Sequence, residues 1–286
     1  MNTVAELKAF LDAMSYRETH AVKPDVRVGR FPFVTVSRQT GAGGHSLADA
    51  LLDAMRQERD SLFHGWQVFD HELCKQLVQD PKLHVSMQAL LTEEYHSQIE
   101  DLLFNMMLGD TPQDIVVKKI FQTVRTLTTV GKAIIVGRAG SCVTKGLPLG
   151  VHVRLVAPEP VRVRRMMQLL RVSEQEARAV VQKQDRDRAR LVRDFFHRDI
   201  NDPLLYDAVW NTDAVSLEAI AEAMIALIVS KVQDQKTATG GSRMTDALVG
   251  AGGTSAVAPG HALRSGVPVG TGEQRRSHEA QTSGTQ

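Results

Sequence analysis

The residues best suited to chemistry come first in the run Arg38-Gln39-Thr40-Gly41-Ala42-Gly43-Gly44-His45-Ser46. Its glycines let the backbone close around a ligand. The helix-compatible run Leu47 to Leu52 follows directly and puts unpaired N–H groups at a helix start, where they face an anion. Phosphate is the ligand such a turn suits, cradled by the amides from Gly41 through Ala42, Gly43 and Gly44 to His45. Ser46 stands where a phosphate loop keeps the hydroxyl that ligates Mg²⁺. In the register G-x-x-x-x-G-K-[ST], with Gly43 as the second glycine and the hydroxyl displaced by one, Arg38 takes the first glycine and Gly44 the lysine. A charge-assisted phosphate contact contributes about 1.5–3 kcal/mol, so the missing lysine calls for another cation. Arg38 and His45 are the candidates. The competing reading is a glycine-rich surface turn.

A second cluster is Lys183-Gln184-Asp185-Arg186-Asp187-Arg188-Ala189-Arg190-Leu191-Val192-Arg193. Arg186, Arg190 and Arg193 recur at helical spacing on one face, with Arg188 off to the side. Asp185 and Asp187 can orient guanidiniums through bidentate pairs. Taken alone, the segment reads as a solvated helix laced with ion pairs. Beside a phosphate turn it is the expected partner, because a transferring phosphoryl group spreads negative charge over its oxygens. Arg162, Arg164 and Arg165 add further cations. Two strand ends complete the set. Gly137-Arg138-Ala139-Gly140 closes an apolar run, and Asp70 ends Trp66-Gln67-Val68-Phe69. Ligands of open parallel sheets lie at strand carboxyl ends, yet a strand-end aspartate also caps a following helix.

The elements that must position these groups alternate. Strand-like runs at Phe33–Val36, Trp66–Asp70, Ala133–Val136, Val151–Ala157 (stopped by Pro158) and Asp207–Thr212 are separated by helical patterns. The helical patterns include Pro160–Leu170, Ser173–Arg193 with a capping box at Ser173 and Glu176, and Leu217–Val232. This predicts an α/β protein with a doubly wound five-stranded parallel sheet. The expected division is an N-terminal helix and linker (1–28), a main domain (29–234) and a Gly/Ser/Thr/Ala-rich disordered tail (235–286). Within the main domain a helical insert spans about 71–130 and a lid about 173–198. A hydrophobic content of 43% supports a core, and a net charge of +1 argues against a nucleic-acid polymer as partner. Cys74 and Cys142 lack metal or disulfide spacing. No long apolar run suggests a membrane partner, so a cytoplasmic protein is expected.

These blocks together resemble cytidylate kinase, and more closely the cytidylate-kinase-like branch of the nucleoside monophosphate kinases, from about Phe33 to Val232. Gly41-Ala42-Gly43 with Ser46 is similar to the family's P-loop, and Gly137-Arg138-Ala139-Gly140 to its Gly-Arg-Asp-x-Gly. Asp185 to Arg190 is similar to its lid, and Asp70 and Arg162 fall at family positions. The resemblance implies a P-loop fold and Mg²⁺-dependent transfer of the ATP γ-phosphoryl group to a small nucleotide, CMP or dCMP. In that reading Arg138 holds the acceptor phosphate, and Arg186, Arg188 and Arg190 close over the transferring group. Asp70 orients the acceptor or a metal-bound water. Gly44 replaces the P-loop lysine and Arg38 its first glycine, a Ser-Arg-x-x-Gly-x-Gly-Gly form similar to that of the cytidylate-kinase-like branch. Ala139 replaces an aspartate of the nucleotide site, and the stretch between Asp70 and Ala133 matches no motif. Two alternatives therefore stand: a nucleotide-binding regulator without turnover, and a kinase for another small acceptor.

Overall fold

The computed structural model describes residues 31–79 and 112–250. The expected N-terminal helix, the middle of the insert and the tail beyond 250 lie outside the described residues. The elements in chain order are β1 (Phe33–Arg38), α1 (Gly44–Gln57), β2 (Gln67–Phe69), α2 (His71–Gln79), α3 (Pro112–Val130) and β3 (Ala133–Val136). After these come α4 (Gly140–Val143), β4 (Gly150–Val156), α5 (Glu159–Leu170), α6 (Glu174–Phe196), β5 (Ala208–Asn211) and α7 (Leu217–Gly250). The strands form one parallel sheet in the order β2-β3-β1-β4-β5.

Burial explains why these runs become strands. Ile134 and Val136 of β3 face the same layer as Val34 and Val36 of β1 and Val151, Val153 and Leu155 of β4. Leu47, Leu51 and Met55 of α1 and Ile220, Met224 and Ile228 of α7 cover that layer. On the opposite face Ile135 meets Phe121, Val124 and Leu127 of α3. Each such side chain contributes about 1.5–3 kcal/mol when fully buried. A sheet covered on both faces needs the continuous apolar runs that β3 and β4 show. The chain leaves β1 for one edge of the sheet and later fills the other. The strand order therefore reverses beside β1, and a crevice opens at the carboxyl ends.

Several boundaries differ from the sequence reading, and two of them bear on the site. β1 continues to Arg38, so this arginine ends a strand and is held in sheet register opposite Leu155. α1 begins at Gly44, which puts Gly44, His45 and Ser46 in the first helical turn. The helical backbone of α7 runs to Gly250, past the point near 234 where composition suggested the tail begins. Contacts group the chain into a unit ending at Ser242 and another from Arg243 to Gln286. The capping box forms: Ser173 Oγ accepts from Glu176 N–H, and Glu176 Oε2 accepts from Ser173 N–H at 2.9 Å.

Far from the turn, His152 of β4 lies under the sheet, its Nδ1 2.8 Å from Thr35 Oγ1. Its N–H donates to Asp207, and Asp207 also accepts from Lys231 of α7 at 2.8 Å. Burial, reinforced by Lys231 against Asp207, pushes the imidazole down from 6.5 to about 4. A histidine held neutral in the fold and free to protonate when unfolded makes acid favour unfolding. Stability should be full above about pH 6.5 and fall as the pH drops toward 4. Urea unfolding at pH 7 and pH 5 checks this, with His152→Asn expected to flatten the slope.

Candidate active site

The glycine turn is braced from both sides. Gln39 N–H donates to Leu155 O at 3.0 Å, and the Gln39 side chain accepts from Ala157 N–H at 3.1 Å. Gly41 has φ +80°, and a Cβ there would meet the Arg162 carbonyl at 2.6 Å. Its neighbourhood and its backbone each demand glycine. The first helical bond of α1 is Leu47 N–H to Gly43 O, at 2.9 Å. The amides from Gly43 to Ser46 therefore precede it and are free to serve an anion. Ala42 is buried, whereas His45 and Ser46 are exposed. His45 Nε2 lies 3.7 Å from Asp70 Oδ2. Burial and then Arg38 depress its imidazole below 6.5, leaving it neutral at pH 7. Of the two candidate cations, Arg38 is therefore the one charged before an anion binds.

Arg38, Arg138 and Arg188 line one small pocket of about 50 Å³, with Ser37, Gly137 and Tyr206 among the other walls. Burial, then Arg188 and Arg138, lower the Arg38 guanidinium from 12.5 to about 9. Arg138 is depressed by burial as well, and its Nε is buried with no hydrogen-bond partner among the described residues. The backbone that presents it is left-handed at three successive residues: Gly137 at φ 87°, Arg138 at 55° and Ala139 at 50°. For the two non-glycine residues such conformations cost about 1–3 kcal/mol each, and they concentrate at functional sites. Asp70 takes the capping role, its Oδ1 accepting Leu73 N–H of α2 at 2.9 Å, and its charge is felt by the neighbouring Arg38 and Arg138.

Helix α6, the expected lid, reaches the turn through Asp185. Its Oδ1 accepts from Thr40 N–H at 2.7 Å and from Thr40 Oγ1 at 2.8 Å. Its Oδ2 accepts from Arg162 Nη1 at 2.7 Å. Arg162 is buried and also donates to Ala157 O and Thr40 O. Arg188 Nη1 donates to Thr40 Oγ1 and to Asp185 Oδ1. Arg165 is spent on Thr212, at 2.9 and 2.8 Å.

The comb of three arginines does not face this crevice. Arg186, Arg190 and Arg193 are exposed, Arg193 beside Asp194, while Arg188 enters the site. The buried stripe of α6, Ala177, Val181 and Val192, runs through positions 185 and 188. That apolar stripe, rather than the spacing of cations, marks the inner face. Arg154 was also missed. It is buried near the end of β4 and donates to Ser37 Oγ at 3.0 Å and to Asn201 Oδ1 at 2.9 Å. An arginine inside an apolar strand was the signal that could have found it. Tyr206 OH completes the floor with Ser37 Oγ at 3.2 Å.

The arrangement fits a polyphosphate. Free helix-start amides face a cluster of arginines with an unused buried donor. A larger groove of about 770 Å³ between α1 and α7, which Ser46 also lines, does not, because Asp49, Asp53, Glu58, Glu218 and Glu222 surround it. No group of three or more His, Cys, Asp or Glu suited to a metal occurs among the described residues. Mg²⁺ needs none, since it is ordinarily held by one or two protein oxygens plus phosphates and water. Ser46 can supply such an oxygen.

A family model described as the cytidylate kinase-like family matches residues 33–214. That is well over half of the chain, and the protein belongs to this family. A kinase-like, phosphate-transferring class and a P-loop α/β fold follow from it. Among solved structures, an uncharacterized protein from Eubacterium ventriosum matches at 17% identity and a TM-score of 0.55, over 70% of this chain and 99% of that one. Shikimate kinase from Acinetobacter baumannii, solved with shikimate, matches at 15% identity and a TM-score of 0.37, over 71% and 95%. Shikimate kinase from Bacteroides thetaiotaomicron matches at 12% identity and 0.38, over 69% and 98%. A comparison with curated proteins finds no match. Among the described residues no helix is long and apolar enough to cross a membrane.

Removing the Asp185 carboxylate strands the buried Arg162. Asp185→Ala should cost about 2–4 kcal/mol, whereas Arg186→Ala and Arg190→Ala should stay within about 0.5 kcal/mol. Urea denaturation of the three variants checks both.

Proposed function

We propose that this protein transfers the γ-phosphoryl group of Mg·ATP to a nucleoside monophosphate, with CMP or dCMP as the acceptor, in the cytoplasm. The observation that carries the reading is the convergence of Arg38, Arg138 and Arg188 on one pocket beside the free amides of the glycine turn. Mg·ATP supplies the phosphoryl group and the metal that neutralises part of its charge. The turn amides bind the donor phosphates, and Ser46 offers its hydroxyl to the metal. Arg138, its Nε unsatisfied, holds the acceptor phosphate. Arg188 is already in the site and leaves Asp185 for the transferring group as the lid seats. No covalent intermediate is needed, because this chemistry is mostly positioning and charge stabilisation. Lid closure keeps water from the phosphoryl group. Arg186 and Arg190 would reach the phosphates only after α6 rotates, so their contribution should be smaller than that of Arg188.

The test is ADP formation from Mg·ATP against a panel of nucleoside monophosphates. Turnover restricted to one acceptor is expected, and Arg138→Ala should raise the KM for that acceptor about 10- to 100-fold with little change for ATP. An unchanged acceptor KM would remove Arg138 from its role. Ala139, standing where the family pattern has aspartate, favours a second reading in which the acceptor is another small phosphorylated or hydroxylated molecule. ATP binding without turnover on any nucleoside monophosphate would select that reading, or the regulator without turnover.

A further inference from the structure

Gly44 opens α1 with an ordinary, not left-handed, backbone. Chain conformation therefore does not require glycine there, and in a helix glycine is less favourable than alanine. The requirement comes from Arg38. A Cβ at position 44 would lie 2.9 Å from Arg38 Cγ, 3.1 Å from Cδ and 3.3 Å from Nε. The stem of any side chain at 44, lysine included, would start in volume that Arg38 fills. Gly137 supplies the rest of the passage, since a Cβ there would overlap Arg38 Nη1 and stand 3.0 Å from Cζ. The arginine thus leaves β1, passes the first residue of α1 and ends over the turn after β3.

We propose that Arg38 is the phosphate-loop cation of this chain, delivered from the end of β1 through the gap between Gly44 and Gly137, and that arginine at 38 and lysine at 44 exclude each other. The inference rests on the phosphoryl-transfer reading and names the side chain that meets the donor phosphates in place of the usual lysine. Two observations separate it from a structural role. Arg162 and Arg165 show what structural arginines do here: both spend their donors on carbonyls, hydroxyls or Asp185. Arg38 makes no side-chain hydrogen bond to any described residue, yet it lines the pocket with Arg138 and Arg188. Two nearby guanidiniums also lower it, so its placement is unfavourable until an anion arrives. It still carries its charge at pH 7.

Calorimetric titration of the full chain with Mg·ATP tests this without requiring turnover. Arg38→Gln keeps the size and removes the charge, and should weaken binding about 10- to 100-fold. Gly44→Lys alone should weaken it comparably, because the new stem displaces Arg38. The double variant Arg38→Gly with Gly44→Lys restores the common loop pattern and should bind within about fivefold of the parent, while Arg38→Gly alone does not. Thermal melts establish which variants are folded; should the glycine variants fail to fold, Arg38→Gln decides. Parent-like affinity in Arg38→Gln overturns the assignment. Parent-like affinity in Gly44→Lys, or a double variant no tighter than Arg38→Gly, overturns the exclusion. No binding by the parent protein would sink the phosphoryl-transfer reading, and this inference with it.

Discussion

The Asp185 carboxylate is the interaction on which the rest of the site depends. It joins three elements that the sequence separates widely: Thr40 of the glycine turn, Arg162 of α5 and Arg188 of its own helix. Without it α6 would meet the turn only as one cationic surface above others, and the guanidiniums would drive the two apart. With it the lid has an anchor that is itself an anion. The carboxylate sits where it can stabilise Arg188 in the ligand-free protein and yield it to a phosphate. A charge-assisted contact to a phosphate is of the same kind as one to a carboxylate, so the exchange is nearly even in energy and the lid can respond.

Around this anchor the fold concentrates positive charge that it does not fully neutralise. Arg38, Arg138, Arg154 and Arg188 gather at the carboxyl ends of the strands, opposed by Asp70 and Asp185. Such an arrangement is stable only on a scaffold that holds each arginine by its backbone. The strands do that for Arg38 and Arg154, the left-handed turn for Arg138 and the buried stripe of α6 for Arg188. For Arg38 and Arg138, charge preorganised in this way needs no rearrangement when negative charge develops, and this is the catalytic value the proposed function would draw on. The structural arginines differ: Arg162 and Arg165 donate to carbonyls, a hydroxyl and Asp185, and they brace the turn.

The sheet was legible because its strands are short apolar runs bounded by glycine, proline or a polar residue, and burial on both faces leaves little choice for such runs. The turn was legible from its glycines and the hydroxyl at Ser46. Side-chain direction was not. Spacing alone placed Arg186, Arg190 and Arg193 together, and they do share a face, but it is the one turned to solvent. Only the apolar residues Ala177, Val181 and Val192 say which way α6 points. The role of Gly44 was hidden for a related reason. A missing lysine looks like a loss in the chain's one-dimensional order, and the arginine that fills its space comes from the preceding strand. Asp70 was ambiguous in the sequence because capping and facing the site are compatible uses of one carboxylate; the cap is the use its hydrogen bond shows.

The central claim is that the amides at the start of α1 and the lid together receive the phosphates of a nucleotide. Amide hydrogen exchange with and without Mg·ADP tests it most directly, because it reads the backbone groups themselves. The account predicts slowed exchange in the segment from Gly41 to Ser46 and in the middle of α6 around Asp185, with α3 unchanged. Unaltered exchange in the turn under saturating nucleotide, or protection confined to the acidic groove between α1 and α7, would contradict it.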